Sequence, residues 1–181
     1  MKHRPFPQRL VLAVIMAISA SIAVRASGED EPFPHLRPTD ARLRALVTDA
    51  ASASATVRAL IDRIAASDVV VLLACDRDPA VRSPARLNFM TAAGGFRYVL
   101  IRIKNPQPRH TAIALLAHEL QHAAEIVGTP AIVDEESMGR EYERMGGRRR
   151  DRGTVTMFDT KSAVDIGRRV LEEITATGAA D

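Results

Sequence analysis

The chain has 181 residues, 46% of them hydrophobic and 26% charged, the balance of one globular domain rather than a disordered or collagen-like chain. Its 25 basic and 22 acidic residues give a formal net charge of +3, but four of the bases (Lys2, Arg4, Arg9, Arg25) and none of the acids lie in residues 1–26, leaving 21 against 22 beyond them. The high isoelectric point therefore belongs to the N-terminus, and nucleic acid is not an expected partner.

Residues 1–26 read as a signal peptide. A basic start is followed by the uncharged run LVLAVIMAISASIAV, then by small residues suited to a peptidase. The run is short for a membrane span, so membrane contact is expected only if the leader stays uncleaved, and the mature chain is expected to be periplasmic or secreted. Residues 27–38, polar and broken by prolines, read as a flexible tether to a domain over 39–181. Thr39-Asp40 can cap a helix that runs to about Ala66, with Leu43, Val47, Leu60, Ile61 and Ile64 at helical spacing. Asp68 to Ala74 is a short β-branched run, hence a buried strand. The lone Cys75 after it can form no internal disulfide and reads as a small buried residue.

Gly94-Gly95 between Leu87–Ala92 and Phe96–Lys104 marks a hairpin. Thr111 can open a helix that ends at Gly128-Thr129-Pro130. Another helix spans Asp134 to Met145, with Met138, Tyr142 and Met145 on its buried side. Gly146 to Gly153 reads as a charged, solvated loop, and a final amphipathic helix starts near Asp159-Thr160. The layout is α+β, a small and mainly antiparallel sheet packed on helices.

The chemistry concentrates in LLAHELQHAAEIVG. Residues four apart on a helix lie one turn apart and about 40° round the axis, so His118 and His122 can clasp one metal ion. Glu119 sits one step round, where a general base would take a proton from water activated by the metal. The preceding residues Ala112 to Ala117 are apolar on nearly every side, so the helix must cross the core, where two histidines and a glutamate are costly without a partner. Zinc suits imidazole ligands and leaves a coordination position for water.

HELQH within LLAHELQHA resembles the active-site helix of the zincin metallopeptidases. The resemblance implies a zincin-like fold with a hairpin-bearing sheet before the motif helix and an edge strand that pairs with an extended peptide or protein substrate; by its position that strand is Phe96–Lys104. It also implies that His118 and His122 are zinc ligands and that Glu119 is the base that later shuttles the proton to the leaving amine.

Catalytic zinc commonly has three protein ligands, and no histidine follows His122, so a carboxylate is expected to complete the set. Glu141 is favoured, because its distance from His122 resembles the gluzincin pattern of HExxH with a glutamate on the next helix. Arg140 stands before it, where that pattern has asparagine. Asp159 is the next candidate, although a helix N-cap also explains it. Glu125 shares the histidine face but lies a turn beyond the metal, as a supporting group or ion-pair partner. Glu135 and Glu136 are weaker alternatives. Tyr142 is the foremost donor for a developing oxyanion, ahead of Tyr98 and His110. The expected function is an exported zinc peptidase; the alternative is a non-catalytic zinc-binding envelope protein that uses the motif helix as a scaffold.

Overall fold

The computed structural model describes residues 33–152 and 155–178, so the leader and most of the tether lie outside the described residues. The class is α+β. Leu36–Pro38 forms β1, followed by helices α1 (Ala41–Ala53) and α2 (Ala55–Ala65), strands β2 (Val69–Asp76), β3 (Ala85–Ala93) and β4 (Phe96–Lys104), and helices α3 (Arg109–Val127) and α4 (Glu135–Arg144). A hairpin of β5 (Arg148–Arg152) and β6 (Val155–Asp159) then leads into α5 (Lys161–Gly178).

The expected single N-terminal helix is two helices. Asp40 caps α1 through the Leu43 N–H, and Ser54 then adopts extended backbone (φ −135°, ψ 123°) and caps α2 through the Val57 N–H. Glu173 of α5 secures the break, accepting from the hydroxyls of Ser54 and Thr56, both at 2.5 Å. A break with two side-chain caps satisfies the orphan N–H groups that a new helix start creates.

The sheet is mixed, not mainly antiparallel. Its order is β1-β2-β4-β3; β1 and β4 both run parallel to β2, and only the β3–β4 hairpin is antiparallel. After β2 the chain crosses residues 77–84 and leaves a strand-wide gap before β3. The turn at Gly94 and Gly95, both with positive φ (60° and 82°), then sends β4 back into that gap. Phe96–Lys104 is therefore an interior strand, and β1 and β3 are the edges. The last residues of the expected tether are part of the domain, because Leu36 is fully buried and pairs with Val71.

Alternation sends Val71, Leu73, Val99, Ile101, Ala85 and Phe89 into one core with Ile113, Leu116, Leu120 and Ala124 of α3. Arg97 fastens the far end of α3. Its guanidinium pairs with Asp68 at 2.7 Å and donates to the carbonyls of Ile126 (2.8 Å) and Thr129 (3.0 Å), which satisfies groups orphaned where the helix stops. The expected loop at Gly146 to Gly153 is replaced over Arg148–Arg152 by strand β5, paired with β6. Met138 and Tyr142 are buried as part of the core, but Met145 is exposed because α4 has ended before it. Among the described residues, no helix is long and apolar enough to cross a membrane.

Candidate metal centre

Helix α3 runs through the core, so the motif residues it carries are held out of water. His122 and Glu119 are 3% and 5% exposed, and the His118 side chain keeps 19%. The two imidazoles stand 4.9 Å apart between ring centroids. Nδ1 of His122 lies 2.9 Å from Oε2 of Glu125, one turn further along α3, and the Thr160 hydroxyl donates to Oε1 of the same carboxylate at 2.6 Å. Burial pushes Glu125 up, but the bond and charge of His122 and the bond from Thr160 more than offset it, so Glu125 titrates below the ordinary glutamate value. An ionised Glu125 only accepts, which puts the ring proton of His122 on Nδ1 and the lone pair on Nε2. That Nε2 is buried and has no hydrogen-bond partner. A buried nitrogen without a partner is a donor that could hold a metal ion.

Asp159 provides the third donor. It ends β6, and its Oδ1 lies 3.5 Å from Nε2 of His118. His118, His122 and Asp159 each offer one ligand atom within 4.8 Å of the others. A tetrahedral ion bonded at about 2.0–2.1 Å holds its donors roughly 3.3 Å apart, so small side-chain rotations close the set. The capping role that competes for Asp159 in the sequence falls to Thr160, whose Oγ1 accepts from the Ala163 N–H at 3.1 Å. The helix is capped by Thr160, and Asp159 faces His118.

Glu141 is not in this group. On α4 it is 9% exposed, and its carboxylate pairs with Arg144 at 3.0 Å, because i,i+3 spacing places the two on one helical face. Glu136 pairs with Arg140 on the surface, and Glu135 accepts from the Phe89 N–H. Tyr142 packs its ring 5.3 Å from His122 and donates its hydroxyl to the His122 carbonyl at 3.1 Å, which braces the helix that carries both histidines. Burial raises the Tyr142 phenol well above its ordinary value, so it stays a neutral donor. Tyr98 lies on interior β4, and His110 is exposed in the first turn of α3, away from the cluster.

The residue beside the histidine pair, Glu119, is electrostatically unusual. Burial raises the Glu119 carboxyl above its usual value against the pull of His122 and His118. His118 is also raised: burial would lower it, but the hydrogen bond and charge of Asp159 and the charge of Glu119 outweigh that. A buried carboxylate with raised proton affinity suits a group that must take and return a proton. Around the cluster is a cavity of about 20 Å³ walled by Arg86 and Leu87 of β3, Met138 and Tyr142 of α4, and Phe158. The contributions of Thr160, Phe158 and the β3 wall are not legible in the motif; only the Asp159-Thr160 pair before an amphipathic helix hints at one of them. No family model, no curated protein and no solved structure matched this chain.

Proposed function

We propose that this chain is an exported zinc-dependent peptidase with His118, His122 and Asp159 as metal ligands and Glu119 as general base. The carrying observation is the orphaned Nε2 of His122 facing the His118–Asp159 pair, with Glu119 buried beside them. A zinc ion held there supplies Lewis acidity toward a carbonyl oxygen and toward water. Glu119 takes the proton of the attacking water on its carboxylate and returns it to the leaving amine. Glu125 and Thr160 hold His122 in the tautomer that presents Nε2, and α4 with Phe158 limits solvent access. Edge strand β3, rather than β4, aligns the peptide by main-chain pairing. Residues 1–26 direct the chain to the periplasm or the medium.

A second reading, a zinc-binding envelope protein without hydrolytic activity, is favoured by one observation: the cavity of about 20 Å³ admits an ion or one water but no peptide side chain. Glu119→Gln separates the two. The peptidase reading expects zinc retained at one ion per chain by elemental analysis and hydrolysis of a mixed peptide library reduced by at least about 100-fold. Hydrolysis undiminished by that change removes the base assignment. Zinc content that survives in both His118→Ala and Asp159→Ala removes the ligand set.

A further inference from the structure

We infer that the substrate edge of β3 is a window one residue wide, centred on Leu87 and closed on one side by Glu135, so that the site takes short peptides or chain ends rather than long extended segments. The inference rests on the peptidase reading for its substrate class and on the register of β3 for its geometry.

In the β3–β4 ladder Arg86 pairs with Arg102, and the Lys104 N–H donates to the carbonyl of Pro84 at 2.8 Å, so even-numbered residues turn their main-chain groups toward β4. As far as the register shift after Phe89, odd-numbered residues of β3 then turn their main-chain N–H and C=O groups outward from the sheet edge. Three fall in this row: Ala85, Leu87 and Phe89. At one end the Ser83 hydroxyl donates to the Ala85 carbonyl at 2.6 Å, and Ser83 itself is buried. At the other end the Phe89 N–H donates to Oε2 of Glu135 at 2.9 Å. Just beyond Phe89 the register slips by one residue before Thr91, so pairing resumes out of phase and the outward row does not continue past Phe89. Leu87 remains, and it is the residue of this row that lines the metal cavity.

Edge strands are commonly protected by charged side chains that occupy their unpaired groups, and Glu135 does this at the rim of the site. It sits in the first turn of α4, whose Met138 and Tyr142 form the opposite wall of the cavity. A peptide strand extending past Leu87 toward Phe89 must displace this carboxylate. A peptide that uses only the Leu87 N–H and C=O need not.

The test is carried out on the full chain, zinc-loaded and bearing Glu119→Gln to prevent turnover, with capped aliphatic tri- and octapeptides as probes. In the free protein the Phe89 amide should exchange slowly and the Leu87 amide fast. Both peptides should shift and protect Leu87 with affinities within about twofold, and leave Phe89 bonded to Glu135. Adding Glu135→Ala should speed Phe89 exchange and tighten the octapeptide alone by about three- to tenfold, the effect of one further main-chain hydrogen bond. Glu135→Gln, whose amide oxygen still accepts, should behave as the parent does. An octapeptide already favoured by that factor in the parent, a length ratio unmoved by Glu135→Ala, or no shift at Leu87 would each overturn the window. Zinc-loaded wild type that binds these peptides at Leu87 but never cleaves them overturns the peptidase reading and leaves the window intact.

Discussion

Glu125 uses both oxygens of one carboxylate: Oε2 orients His122, and Oε1 holds Thr160, the residue next to Asp159. One side chain thus ties His122, a proposed ligand on α3, to the junction that carries Asp159, the proposed third ligand. Outer partners of this kind contribute about 10–100-fold in metal affinity. Glu125→Gln is expected to weaken zinc by that factor in a chelator competition, and Thr160→Val by less, because it removes one of the two bonds. Glu141→Gln should leave zinc affinity within about twofold, since the Glu141 partner is Arg144. Equal affinity in Glu125→Gln and wild type would remove the orienting role. The motif itself was readable because i,i+4 spacing is local. The choice among carboxylates was not, because Glu141, Asp159 and Glu125 differ in tertiary partners rather than in spacing.

At the scale of elements, α3 works only if it stays anchored, and Arg97 is its anchor. The side chain is nearly buried and serves the ends of α3 and of the following turn while paired with Asp68. Arg97→Ala leaves several carbonyls without a donor and is expected to cost about 2–4 kcal/mol in urea unfolding. A loss below about 0.5 kcal/mol would show that water replaces the guanidinium freely. The hairpin at Gly94-Gly95 and the cap of α1 were legible, because turn and cap chemistry act within a few residues. Strand neighbours were not: the zincin resemblance and its place before the motif helix make β4 the expected edge, yet it lies between β2 and β3.

For the whole molecule, acid sensitivity follows from the same clasp. The hydrogen bond from Arg97 lowers the Asp68 carboxyl below the ordinary 3.8, with its charge adding to the effect and partial burial opposing it. A depressed folded-state value stabilises the fold fully above the unfolded value and stops doing so as pH falls through the folded one. The Tm difference between wild type and Asp68→Asn should be constant above about pH 5 and shrink as pH drops below 3.8. A difference that grows on acidification would mean that another carboxylate dominates.

The order of residues alone places His118 and His122 one turn apart on a core-crossing helix with Glu119 beside them, because helical geometry and amphipathic period are properties of neighbours in the chain. Tertiary packing supplied the rest: Asp159 as the group that meets the His118 imidazole, Glu125 as the link between His122 and Thr160, and β3 as an edge strand. Each of those depends on which distant segments share a core, and no local pattern encodes that.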